Sequence, residues 1–146
     1  MTARAGFAEG AVEFRRATSD YLAQYLDIDI ALDTYPYPGG GTTCDALYMG
    51  TPVITRCGRR FGSRFGLSLL SAAGLSELAA ATPGAYVEKA VALARDPELL
   101  NALHEDLRRR MTLSPLMDGA GYVREVEKLY EKAWQTWLQQ KERGRA

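Results

Sequence analysis

Two spacings of apolar residues recur along this chain, and they predict an alternation of strands and helices. Short β-branched or alternating apolar runs, bounded by turn residues, are typical of strands. Apolar residues three or four positions apart are typical of one face of a helix. On this basis the predicted strands cover 11–14, 27–33, 52–56 and a short segment near 78–80.

Helices are predicted between and after these strands. Thr18 or Ser19 is the expected N-cap of the first helix, which is followed by the second predicted strand at 27–33. Pro97 separates two later helices, because proline is tolerated in the first turn of a helix but not in its interior. The other predicted helices cover 43–49, a segment from 61 that ends at Gly74, 84–96, 97–111 and 121–140.

The order of these elements predicts an α/β fold. Strands that alternate with helices form a parallel sheet with right-handed crossovers and helices on both faces, which is a three-layer Rossmann-like arrangement. We expect one such domain over 1–140, with 141–146 as a frayed tail. Ligands of these sheets bind beyond the carboxyl ends of the strands. The segment that follows the strand at 27–33 is therefore a candidate binding loop.

Composition narrows the classes of function. The chain has 146 residues, enough to bury a core, with 18 basic and 18 acidic side chains. This balance gives no net field that would favour nucleic acid or an anionic membrane. No apolar run reaches the roughly 20 residues of a membrane span, and the first residues lack the pattern of a signal peptide. We expect a cytoplasmic protein.

The residue types give little support for metal or cofactor chemistry. Two cysteines, Cys44 and Cys57, and one histidine, His104, are present, and their spacing is not that of a zinc site. We expect the cysteines to be reduced thiols packed as small apolar side chains. The sequence predicts no metal and no cofactor.

Candidate chemistry is concentrated in the stretch DTYPYPGGGTTCDALYMGTP at 33–52. Three consecutive glycines at 39–41 let a ligand approach the backbone without interference from a Cβ atom. The next helix begins near Thr42 or Thr43, and its first N–H groups and positive dipole end suit an anion. Asp45, one turn further on, suits the hydroxyl groups of a ribose better than a phosphate.

The spacing of this stretch matches neither a P-loop nor a dinucleotide-binding motif. No lysine follows the glycines, and their pattern is not GxGxxG. The residues alone therefore leave two interpretations open. The first is a tight loop whose threonines cap a helix, and the second is a cradle for a diphosphate.

Motifs across the chain resemble those of a known family. The segment DIALDTYPYPGGGTTCDALYMGTPVIT is followed by GRRFGSRFGLSLLSAAGLSELAA and then by SPLMDGAGYVREVEKLYEKAW. In combination they closely resemble the C-terminal part of the O-linked N-acetylglucosamine transferase family. These are glycosyltransferases of the GT-B class, which in bacteria often follow tetratricopeptide repeats. The resemblance covers roughly 6–137.

The resemblance implies a substrate and a set of binding residues. Members transfer N-acetylglucosamine, or another hexose, from a UDP-sugar to serine, threonine or asparagine of a protein acceptor. The glycines and threonines of the loop are implied to face the UDP diphosphate and Asp45 the ribose, while Tyr21 either stacks near the uracil or packs on the sheet as an ordinary helix residue. The residues implied in donor binding are Gly39, Gly40, Gly41, Thr42, Thr43, Asp45 and Tyr21.

Several positions depart from the family pattern. Gly40 and Gly41 stand where members often have His or Thr, and Thr18 stands where some members have a basic residue. The charge of a diphosphate would then be met mainly by backbone N–H groups. No residue of the chain is a convincing general base, and none is predicted to be catalytic.

The family's catalytic region has two Rossmann-like domains, and this chain is expected to begin partway into the second. We therefore expect the donor-binding part of a protein glycosyltransferase that is inactive alone, with the acceptor bound by the missing regions. The alternative is a noncatalytic nucleotide-binding or oligomerising remnant. An uncovered sheet edge and apolar surface near Trp134 and Trp137 predict self-association, most simply as a dimer.

Overall fold

A three-stranded parallel sheet lies at the centre of the computed structural model, which describes residues 6–144. Strands β1 (Ala31–Leu32), β2 (Val53–Arg56) and β3 (Ala79–Ala80) are adjacent in that order. Ala31 is in register with Val53, and Thr55 with Ala79. The predicted parallel α/β fold is confirmed.

Helices connect and follow the strands. Helix α1 (Gly41–Tyr48) joins β1 to β2, and α2 (Phe65–Ala72) joins β2 to β3. Three helices then follow β3: α3 (Pro83–Ala94), α4 (Pro97–Leu113) and α5 (Gly119–Arg143). Short 3-10 helices cover Tyr21–Asp27, Phe61–Ser63, Ser76–Leu78 and Pro115–Met117.

The central strand β2 is covered on both faces, because successive side chains of a strand point to opposite sides. On one side, Val53 shares a cavity wall with Ala46 of α1, and Thr55 lies against Gly66 of α2. On the other side, Arg56 faces a cavity lined by residues of α3. The crossover helices and α3 therefore form the outer layers of a three-layer arrangement.

The hydrophobic core sits around β2 and extends between the helices. Leu47 of α1, Ile54 of β2 and Leu70 of α2 are fully buried, and Leu107 of α4 is nearly so. Helix α4 contacts both α1 and α3. These contacts fix α1, and with it the loop that enters α1, relative to the sheet.

Side-chain caps begin the helices that follow β3. Thr82, Asp96 and Asp118 each accept a hydrogen bond from the backbone N–H three residues later, at 3.1, 2.9 and 2.8 Å. Pro83 and Pro97 occupy the first helical positions, where their missing N–H groups cost nothing. The predicted separation of α3 from α4 at Pro97 is confirmed.

The N-terminal segment differs from the sequence prediction. The strand predicted at 11–14 is wrong: this segment joins no sheet, and Phe14 is 86% exposed, so its apolar side chains have no core to face. The helix predicted after Thr18 or Ser19 is a 3-10 helix, Tyr21–Asp27, with Asp20 at its N-cap position and no side-chain cap. None of its residues is fully buried and only Tyr25 packs against the core, so little tertiary packing supports a regular α-helix.

The bounds of several predicted elements also differ from those observed. The strand predicted at 27–33 is reduced to Ala31–Leu32, the two residues that pair with β2. The helix predicted from 61 begins at Phe65, because Phe61–Ser63 forms a separate 3-10 turn. Helix α5 continues to Arg143, beyond the end predicted at Gln140.

None of the helices described within 6–144 combines the length and the hydropathy that crossing a membrane would require.

Substituting two helical glycines should change stability in opposite directions. Gly66 and Gly84 are both second residues of their helices. A Cβ atom at Gly66 would overlap the Thr55 side chain, whereas one at Gly84 meets nothing within 4 Å. We expect Gly66→Ala to lower the free energy of unfolding by about 1–2 kcal/mol, and Gly84→Ala to raise it by up to about 1 kcal/mol.

Urea denaturation of the two variants measures both free energies. Equal effects of the two substitutions would contradict the close contact between α2 and β2.

Candidate functional site

The glycine loop, residues 34–40, leaves the carboxyl end of β1 and enters α1. Helix α1 begins at Gly41, with Gly40 at the N-cap position and no side chain capping it. The expected start near Thr42 or Thr43 was therefore one to two residues late. Neither threonine caps the helix, so the threonine-capped loop is not the arrangement that forms.

The start of α1 presents backbone donors. The Cys44 N–H donates to the Gly40 carbonyl at 3.1 Å, which is the first helical hydrogen bond. Within the described part of the chain, the N–H groups of residues 40–43 have no acceptor. Four consecutive donors at the positive end of a helix dipole are a binding site suited to an anion.

Gly39 lies in the same loop but has a different role. Its N–H donates to the Asp33 side chain at 2.7 Å, so this donor is not available to a ligand. A Cβ atom at Gly39 would lie 2.5 Å from Thr42 Oγ1 and 2.7 Å from Thr43 Oγ1. The absence of a side chain at Gly39 leaves room for both threonine hydroxyls.

The two threonines differ in exposure. Thr42 is exposed beside the loop, whereas Thr43 is buried. Both also border a cavity of about 210 Å³ that reaches back to the end of β1. Thr42 is therefore the hydroxyl that can reach a ligand without rearrangement.

The structure brings Tyr21 and Asp45 together, although they are far apart in the sequence. The Tyr21 hydroxyl donates to Asp45 Oδ2 at 3.2 Å. This hydrogen bond, with the negative charge of Asp45, raises the pKa of the Tyr21 hydroxyl above its ordinary value. Tyr25 donates to the Thr42 carbonyl at 3.3 Å, so the 3-10 helix is joined to α1 at two places.

Tyr21 does not pack on the sheet. It remains 47% exposed, and its helix buries no residue. Its ring is thus available beside Asp45.

The sequence interpretation missed residues behind the loop. Asp33 accepts hydrogen bonds from Thr34 N–H at 3.0 Å and from Thr55 Oγ1 at 2.7 Å, in addition to Gly39. Tyr86 of α3 donates to the Asp33 carbonyl at 2.9 Å. An aspartate directly after a strand and before a glycine loop was the available signal, but its partners on β2 and α3 could not be identified from spacing.

Metal-binding chemistry finds no support in residues 6–144, where no group of three or more His, Cys, Asp or Glu side chains could hold an ion. Cys44 and Cys57 are free and half-buried, and burial raises the pKa of the Cys44 thiol. The absence of a metal and of a cofactor stays a prediction.

Comparison with known proteins identifies the family. Residues 20–126 match the family model Glycosyl transferase family 41. This chain belongs to glycosyl transferase family 41. The resemblance to the O-linked N-acetylglucosamine transferase family is thereby confirmed.

Several plant proteins are similar to this chain in sequence. The probable UDP-N-acetylglucosamine–peptide N-acetylglucosaminyltransferase SPINDLY of Solanum lycopersicum is 42% identical over 118 residues, which are 81% of this chain and 13% of the relative. The probable UDP-N-acetylglucosamine–peptide N-acetylglucosaminyltransferase SEC of Arabidopsis thaliana is 33% identical over 117 residues, 80% of this chain and 12% of the relative. The chain thus spans about an eighth of these relatives.

A solved structure supports the fold. A mutant O-GlcNAc transferase of Thermobaculum terrenum superposes with a TM-score of 0.75 at 41% sequence identity, covering 82% of this chain and 23% of that one. This agreement confirms the α/β fold as part of a family 41 catalytic region of the GT-B class.

The contact between Tyr21 and Asp45 can be tested by titration. We expect Asp45→Asn to lower the pKa of Tyr21 toward 10.0, because the substitution removes the charge and weakens the hydrogen bond that raise it. Carbon NMR of the tyrosine ring measures this value.

Tyr86 is the reference in the same sample. Burial raises its pKa first and the charge of Asp33 second, so Asp45→Asn should leave it unchanged. A Tyr21 pKa that does not respond would show that the two side chains are apart in solution.

Proposed function

We propose that this chain binds the diphosphate of a UDP-sugar, with UDP-N-acetylglucosamine as the first candidate, and is the donor-binding part of a protein glycosyltransferase. The observation that carries the proposal is the row of backbone N–H donors at 40–43, which have no acceptor in the described chain. They stand beyond the carboxyl end of β1, where parallel α/β sheets bind ligands. Membership of family 41 supports a nucleotide-sugar over other phosphate compounds.

These donors suit the chemistry of a departing nucleotide. Cleavage of a sugar–phosphate bond leaves negative charge on the diphosphate oxygens. Backbone N–H groups fixed by a helix start stabilise such charge without reorganising. Hydrogen bonds to charged groups contribute roughly 1.5–3 kcal/mol each, so a few of them account for the affinity of a diphosphate without a basic side chain.

Tyr21 and Asp45 support the nucleoside half of the proposal. Asp45 uses Oδ2 for Tyr21, and its Oδ1 has no described donor, so a ribose hydroxyl can donate to it. The exposed ring of Tyr21, held by the same hydrogen bond, offers a face for the base.

Transfer to an acceptor is proposed for a longer polypeptide. The names of the relatives describe transfer of N-acetylglucosamine to peptide, and this chain covers only about an eighth of their length. We propose that the chain alone binds donor without turnover and that a protein acceptor is bound by the remaining catalytic region. The cytoplasmic location and the independence from metal are retained as part of this proposal.

Calorimetry with UDP tests donor binding. We expect Thr42→Ala and Asp45→Ala each to weaken UDP binding about tenfold or more, since each removes a hydrogen bond to the ligand. Thr112→Ala and Asp29→Ala are the matched controls, because these exposed residues lie away from the glycine loop. The controls should bind UDP as the unsubstituted chain does.

The other outcomes separate the alternatives. Absence of binding at millimolar UDP would support a noncatalytic remnant. Equal affinity for UMP or inorganic pyrophosphate would indicate a general phosphate site. Tighter binding of GDP than of UDP would overturn the assignment of uracil while leaving the diphosphate site intact.

We also propose that the chain self-associates through α5 as a dimer. Helix α5 buries none of its residues, and Trp134 and Trp137 stack at 5.0 Å while about half exposed. Light scattering should give a mass above that of one chain, and Trp134→Glu should reduce it to one chain. Gln135→Glu adds the same charge on the same helix and should leave the dimer intact. A monomer before substitution contradicts this proposal.

A further inference from the structure

The carboxylate of Asp33 is held by neutral donors from three separate positions. Its Oδ1 accepts from the N–H groups of Thr34 at 3.0 Å and Gly39 at 2.7 Å. Its Oδ2 accepts from Thr55 Oγ1 at 2.7 Å, and Thr55 is fully buried in β2. None of the ion pairs among the described residues involves Asp33.

These hydrogen bonds close the glycine loop at its base. Gly39 is six residues after Asp33, and their bond brings the end of the loop back to the end of β1. The bond to Thr55 fixes the same carboxylate to β2. The loop therefore has its two ends and its neighbouring strand joined through one side chain.

Neighbouring elements restrict this side chain further. A Cβ atom at Gly66 would overlap Thr55 and lie 2.8 Å from Asp33 Oδ2, so α2 approaches the carboxylate closely. Tyr86 of α3 donates to the Asp33 carbonyl at 2.9 Å. Asp33 thus lies where β1, β2, α2 and α3 meet, and it does not itself reach the donors at 40–43.

We propose that Asp33 is a positioning residue for the donor diphosphate. Asp33 accepts a hydrogen bond from the Gly39 N–H and so fixes the direction of the loop. In that direction the N–H groups of residues 40–43 remain free at the start of α1. This inference rests on the proposed function. Asp33 acts through the backbone of Gly39 and not through contact with the ligand.

Two substitutions, one at each partner of the hydrogen bond between Asp33 and Thr55, test the positioning role of Asp33. In the full 146-residue chain, Asp33→Ala removes all three accepted hydrogen bonds, and Thr55→Val removes only the donor on β2 with little change in shape. Ser114→Ala is the matched control: Ser114 is also buried, and its hydroxyl donates to the Met111 carbonyl at 2.7 Å, at the end of α4. It alters stability without touching Asp33.

Three measurements separate a positioning role from a loss of stability. Proton–nitrogen NMR of the ligand-free chain reports the Gly39 amide, which should be shifted downfield and protected from exchange by its bond to a carboxylate. Calorimetry gives the dissociation constant of UDP, and urea denaturation gives the free energy of unfolding of each variant.

We expect Asp33→Ala to abolish the Gly39 protection and to weaken UDP binding at least tenfold. Thr55→Val should weaken it about threefold to tenfold, and Ser114→Ala should leave it unchanged at a comparable loss of stability. Asp33→Asn should restore most of the affinity, because its amide oxygen can accept from Gly39 and its NH₂ can donate to Thr55 Oγ1.

Each of the other possible results contradicts a specific part of the proposal. If the unsubstituted chain binds UDP and Thr55→Val binds no worse than Ser114→Ala, Asp33 has no positioning role and the proposed function stands. If Gly39 lacks protection in the unsubstituted chain, the bond to Asp33 is absent. If the unsubstituted chain fails to bind UDP, both the function and the role of Asp33 are wrong.

Discussion

Satisfying one carboxylate without a cation is the constraint around which this structure is arranged. Asp33 ends β1 partly buried, and each of its hydrogen bonds comes from a backbone N–H or a hydroxyl. A buried charge with no donors would be costly, so the loop must return to supply Gly39 and β2 must present Thr55. The close approach of α2 at Gly66 follows from the same crowding. The glycine loop, β2 and α2 therefore all meet at this one charged side chain.

Part of this arrangement could be predicted from the sequence. Helices α3 and α4 carry their own signals, because Thr82 and Asp96 cap them and Pro97 separates them. The glycine loop and its place at the carboxyl edge of the sheet were also predicted, since local spacing decides both. The strand expected at 11–14 was wrong because an alternating pattern forms a strand only where a neighbouring strand can pair with it.

In the candidate site, too, features that depend on neighbouring residues could be predicted, whereas contacts between distant residues could not. The anion-binding character of the loop could be predicted from the sequence, because it depends on the backbone N–H groups of the glycines and of the first helical residues. The bonds of Asp33 to Thr55 and of Tyr21 to Asp45 join residues 22 and 24 positions apart, so only the folded chain brings them together. Gly39 was grouped with the ligand-facing glycines, yet its N–H is already used within the loop.

The hydrogen bond between Tyr21 and Asp45 affects how rigidly the base of a nucleotide would be bound, compared with its diphosphate. The diphosphate end would meet α1, which is anchored in the core through Leu47. The base end would meet Tyr21–Asp27, a 3-10 helix with no fully buried residue, which is held by the Tyr21 and Tyr25 hydroxyls, by the packing of Tyr25 on the core and by the Thr51 hydroxyl. An element without a fully buried residue opens locally at a lower cost in free energy than the core does. Phosphate recognition would therefore be rigid and base recognition adaptable, so discrimination between bases depends on how well this 3-10 helix is held.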